Sequence, residues 1–234
     1  MSAATVGTQD TRSAAAERDY TAVIMKRILL GILALGLLAG CSSEPAQRAS
    51  SGGAKPAPAK PADEYQSGRI VFQKLFVTAR AWAGDVQPFR LESQYTKGAP
   101  AEEGKAGIWR ASFASVRRAS IKSYVWSGVA AEDATERGIS PGLEDTYNPS
   151  NSSTHAFDAA YLKVDSDQAF KVAQEHGGQE LMKKTPAQPV LFILDWDAHK
   201  NQLVWHVAYG SSRTDAPLTV AVDASTGGFL RVEK

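Results

Sequence analysis

The chain has 234 residues, with 26 basic and 25 acidic side chains and a formal net charge of +1. That balance gives no electrostatic footprint for nucleic acid. A single cysteine excludes an internal disulfide and any multi-cysteine metal site.

In chain order, residues Met1–Ile24 are polar and rich in Ala and Thr, and Met25 stands directly before Lys26-Arg27, where a signal peptide would start. Residues 1–24 are set aside as a non-native or mis-assigned extension, the alternative being a long leading segment. An apolar run from Ile28 ends in Leu38-Ala39-Gly40-Cys41. It is too short for an ordinary membrane span. These four residues resemble the bacterial lipobox, with leucine, two small residues and then cysteine. The resemblance implies a lipoprotein signal peptide at 25–40, cleaved between Gly40 and Cys41. It also implies lipidation of Cys41, with diacylglycerol on the thiol and a palmitate-type chain on the new amine. The other reading is a plain secretory signal with a chance cysteine. Two or three acyl chains anchor stably where one is marginal. Ser42 is not the aspartate associated with inner-membrane retention, which implies the outer membrane, facing the periplasm.

From Cys41 the chain carries 22 residues of each charge sign and is formally neutral. Residues 41–63 are rich in Pro, Ala, Ser, Gly and Lys, and predict a disordered, semi-stiff tether. Folding should begin near Glu64. Val71, Leu75, Ala79 and Trp82 fall at helical spacing, with Phe72 and Phe76 widening the stripe and Gly84 as a stop. Three strands should follow, at Val86–Tyr95, Ile108–Val116 and Ile121–Trp126, the first with Phe89, Leu91, Ser93 and Tyr95 on one face. Residues 64–127 thus read as helix–strand–strand–strand, and 128–163 as a connecting loop region.

Residues 164–234 repeat that order. Asp165 predicts an N-cap with Gln168 completing a capping box, and Val164 and Ala169 stand at staple positions. The helix should run from Ser166 to His176 and stop at Gly177-Gly178. Strands are expected at Val190–Trp196, Gln202–Tyr209, Leu218–Val222 and Phe229–Val232, with Gly227 or Gly228 supplying a positive φ in the last turn. Ile108-Trp109-Arg110-Ala111-Ser112-Phe113 aligns with Val204-Trp205-His206-Val207-Ala208-Tyr209, which suggests a diverged duplication. The fold class is therefore α+β, two helix-plus-antiparallel-sheet units behind a tether.

The second unit resembles a PepSY domain, through Asp165–Gly178, Leu203-Val204-Trp205-His206-Val207 and Val220-Ala221-Val222-Asp223-Ala224-Ser225-Thr226-Gly227. The first unit lacks the Asp-Ala-x-Thr-Gly piece and would be a degenerate copy. The resemblance implies a non-catalytic domain that binds or inhibits, often a peptidase.

Sites for chemistry are few. Asp195, Asp197 and His199 alternate and could ligate a metal, but Asp197–Asn201 is also a polar hairpin connector, the favoured reading. His155, His176, His199 and His206 show no zinc spacing and no HExxH pattern, and there is no G-x-S-x-G elbow. His206 should point away from the Trp205 face, either exposed or packed against the helix. Residues 138–156 read as a long loop with acidic and aromatic residues, either functional or a locally packed linker. The five tryptophans suit core packing better than an aromatic groove. No catalytic, metal or cofactor residue is assigned. The expectation is a membrane-anchored, non-enzymatic binding module that docks on an envelope protein, a peptidase being one candidate. Alternatives are a small-ligand carrier with a cleft between the units and an envelope enzyme built on the 138–156 loop with His155.

Overall fold

The computed structural model describes residues 62–131, 136–151 and 154–233. Gly40, Cys41, the signal segment and nearly all of the tether lie outside the described residues. None of the described helices is long and apolar enough to cross a membrane.

The elements run β1 (Gln66–Ser67), α1 (Gly68–Trp82), β2 (Gln87–Ser93), β3 (Lys105–Ala106), β4 (Ile108–Ser115), β5 (Ser120–Ser127), β6 (Gly138–Thr146), α2 (Ser166–Ala173), α3 (Gln179–Lys184), β7 (Leu191–Asp197), β8 (Gln202–Tyr209), β9 (Leu218–Asp223) and β10 (Phe229–Val232). Eight strands form one antiparallel sheet in the order β10-β9-β8-β7-β2-β4-β5-β6. The fold class is as expected, α+β, and both units contribute to the same sheet. β2 and β7 join at its centre through Arg90–Asp195, Leu91–Leu194 and Glu92–Ile193. The helices lie on one face. There Val71, Phe72, Leu75, Ala169 and Ala173 meet Trp109, Phe113, Phe192, Leu194 and Trp205 in one core.

The likeness of the two halves extends to single hydrogen bonds. Trp109 Nε1 donates to the Gln66 carbonyl at 2.9 Å, and Trp205 Nε1 donates to the Val164 carbonyl at 2.9 Å. Each acceptor immediately precedes the N-cap of its own helix, Ser67 or Asp165. The two indoles meet edge to face across the centre, 6.4 Å between centroids. Asp165 forms the expected capping box on α2. It also serves the other helix, accepting from the Arg69 N–H at 2.8 Å and the Ser67 hydroxyl at 2.6 Å. Ser67 makes no side-chain cap bond of its own.

Three expectations need correction. The 128–163 region is not all loop, because Gly138–Thr146 is β6, the edge strand paired with β5. Nearly every β6 residue is exposed, so no apolar alternation marks it. Pro141 sits beside a register shift at this edge, where a missing N–H is tolerated. Second, the helix does end at Gly177, which adopts φ +109°, but a further helix that was not expected, α3, follows directly. A Cβ on Gly178 would come within 1.9 Å of the Tyr209 hydroxyl, so this close approach needs glycine. Third, the face expected for β2 is broken by a bulge between Pro88 and Arg90, which turns Pro88, Leu91 and Ser93 inward. The last hairpin is as expected. Gly227 takes φ +80° and Asp223 Oδ1 accepts from the Ser225 and Thr226 N–H groups at 2.7 and 3.0 Å.

Candidate binding cleft

β2 and β7 share only three backbone pairs, then part at both ends. Toward the end of β2 the Phe192 N–H is taken by the Ser93 hydroxyl at 2.9 Å, a side chain standing in for the next rung. Beyond it the chains separate around a cleft of about 820 Å³. One wall is Tyr95 to Lys105, from the loop after β2, with Tyr65. The other is Phe170 and Met182 with the segment Pro186–Val190. Phe192, fully buried, closes the base, flanked by Phe170 and Trp109 at 6.1 and 6.2 Å between centroids. The size falls within the range of ligand pockets, and the lining is mainly apolar with polar groups at the rim. Those rim charges are Lys97, Lys105, Glu102 and Glu103.

Local sequence explains both walls. Pro186 and Pro189 keep the stretch between α3 and β7 out of helix and strand, and Gln188 Nε2 pins it to the Tyr209 carbonyl at 3.0 Å. The facing loop is held by paired backbone bonds between Glu102 and Lys105, both 2.8 Å. Burial raises the Tyr65 phenol above its ordinary value, and the charges of Glu102 and Asp63 add to this. Tyr65 therefore presents a neutral hydroxyl.

A second convergent group lies on the opposite face of the sheet. His206 is buried there, neither exposed nor against a helix. Its Nε2 meets Asp195 Oδ1 at 3.0 Å and its Nδ1 meets Glu233 Oε2 at 2.8 Å. Burial alone would lower its pKa, but the hydrogen bonds to Asp195 and Glu233 prevail and raise it. Burial likewise opposes ionisation of Asp195, yet His206, Arg90 and Arg213 hold its pKa down at about 2. Glu233 is lowered against burial by His206, Arg213 and Arg231. When protonated, His206 donates through Nε2 to Asp195 and through Nδ1 to Glu233. The group fastens the C-terminus to β7 and β8.

The other residues expected from sequence come together in part: His155, Asp195, Asp197, His199 and His206 line one open hollow of about 330 Å³ on this face, with Arg213 and Arg231. Asp197 accepts from the His199 and Lys200 N–H groups at 3.0 and 3.1 Å, the hairpin connector between β7 and β8. Among the described residues no group of three His, Cys, Asp or Glu side chains is placed to hold a metal. His176 stacks on Phe229 at 3.8 Å, and His155 also lines a small hollow of about 160 Å³ beside Asp195 and Trp196. Trp109, Trp126 and Trp205 are core residues, whereas Trp82 and Trp196 are half-buried. Trp82 donates to Glu144 of β6 at 2.8 Å. None of the cleft residues was singled out from sequence as a site. The proline pair at 186 and 189 was the one available sign.

The fold and the cleft define a two-layer α+β body with a concave apolar site between its halves. No protein-family model matches the chain, and no curated protein matches it. Among solved structures, a presumed lipoprotein from Clostridium difficile 630 is similar, with a TM-score of 0.42 and 11% identity over 68% of this chain and 88% of that one. A likeness at that level leaves the function of this chain to its own geometry.

Proposed function

We propose that this protein is a lipid-anchored envelope module that binds a partner protein in the cleft and carries out no chemistry of its own. The reading rests on one observation, the apolar cleft of about 820 Å³ between the halves. Leu38-Ala39-Gly40-Cys41 supports the anchor, with Cys41 as the acylated residue and the outer membrane, periplasmic side, as its place. The PepSY resemblance of residues 164–234 makes a peptidase one candidate partner. A cleft between the units was the site expected of a small-ligand carrier; here it is read as the seat of a protein partner.

The test is site-specific photocrosslinking in cells of the source organism. A photoreactive residue at Ala187, on the cleft wall, should give a discrete protein adduct. The same residue at Val77, on the exposed side of α1, should not. No adduct from Ala187, or the same adducts from both positions, would overturn the reading. Mass spectrometry of the Cys41→Ser chain checks the anchor separately, since lipid still attached would refute it.

A further inference from the structure

β2 and β7 part at both ends, and at one end the gap is already filled. There Phe157, from the segment leading out of β6, inserts beside Phe72 of α1 with centroids 6.4 Å apart, and is 3% exposed. Residues 154–158 belong to no helix or strand, Asp158 is extended at φ −79° and ψ 126°, and the Phe157 N–H donates to the Pro88 carbonyl at 2.8 Å.

The likeness of the halves carries that arrangement across the centre. Phe72 stands five residues after its cap Ser67, and Phe170 stands five residues after its cap Asp165. Leu91 and Phe192 match as well, since they pair with Ala111 and Val207, which the strand alignment equates. The Pro189-Val190 approach to β7 stands where Pro88 stands on the approach to β2. The space that Phe157 fills in the first half is therefore, in the second half, part of the cleft bounded by Phe170, Pro189, Val190 and Phe192.

We propose that the cleft receives an extended peptide segment of a partner protein, which inserts an aromatic side chain beside Phe170 as Phe157 inserts beside Phe72. This rests on the reading of the cleft as the binding site. The chain cannot supply that side chain from its own tether, since residues 41–63 contain no Phe, Tyr or Trp. The rim carries two basic and two acidic residues, so selection comes from the buried ring rather than from net charge. Aromatic side chains in such pockets dominate binding.

The experiment selects random dodecapeptides by display on the purified full chain. Counter-selection uses Ala187→Trp, which puts an indole into the cleft from an exposed position. Ala101→Trp, from the facing wall, is a second block should the first disturb folding. The expected peptides share one fixed Phe, Tyr or Trp, are rejected by the blocked chains, and lose at least about tenfold in affinity when that residue becomes alanine. Cleft-dependent peptides without a shared aromatic would overturn this inference and leave the cleft as a binding site. Failure of the Ala187 crosslink in cells, by contrast, removes the cleft reading itself.

Discussion

The two halves of the sheet share a skeleton and differ in how they are finished. In the first, β6 adds a fourth strand, Trp82 is tied to it through Glu144, and Phe157 closes the gap beside β2. In the second, β10 adds the fourth strand, while the matching gap beside β7 stays open as the cleft. The outer faces diverge too. Arg110 aligns with His206 but lies exposed, its Nε bonded to Glu92 at 2.8 Å, whereas His206 is buried under Arg213 and Glu233. The two halves thus share their core bonds and differ in their openings.

The largest test of that equivalence is the matched pair Trp109→Ala and Trp205→Ala. Both indoles are fully buried with the same bond to a pre-cap carbonyl, so each change should cost about 3–5 kcal/mol in urea unfolding. A much smaller loss at either position would break the equivalence. Next, Phe157→Ala should cost about 3 kcal/mol by opening in the first half the hollow that the second half already has. Near-neutral behaviour would show that Phe157 is no plug.

Asp165→Ala should cost about 2 kcal/mol, more than an ordinary cap, because it strips acceptors from both helices. Asp165→Asn, which keeps acceptor oxygen, should recover part of it. His206→Ala should cost about 1–2 kcal/mol near pH 6. The folded pKa of His206 is raised above 6.5, so its contribution is complete below that value and fades as pH rises through the folded value. That of Asp195, lowered from 3.8, is present above 3.8 and fades as pH falls toward about 2. Urea melts of wild type and variant should therefore converge as pH is raised to 9, and an undiminished gap there would count against the imidazolium. The smallest effect, about 1 kcal/mol, is expected for Gly227→Val, since a β-branched residue resists φ +80°. Unchanged melting would show that the turn is more permissive than its geometry implies.

The second half was largely legible in the sequence. Its capping box, the alternation of Gln202–Tyr209 and the Asp223–Gly228 turn each impose their own local geometry. β6 was not legible, because a strand wet on both faces shows no alternation and Ser140-Pro141-Gly142 reads as a turn. α3 was hidden behind a glycine pair whose role depends on Tyr209, which stands far along the chain. The cleft was invisible for a deeper reason. Its walls come from segments around residues 65, 100, 170 and 188, each an ordinary helix or loop stretch by itself. The concavity exists only because two central strands share three rungs and then part.

The carboxylate of Asp165 makes the start of α1 depend on a residue nearly a hundred positions further along the chain. A fragment that stopped short of residue 165 would leave the Ser67 hydroxyl and the Arg69 N–H without that acceptor, so the first half is not finished until the second has been made.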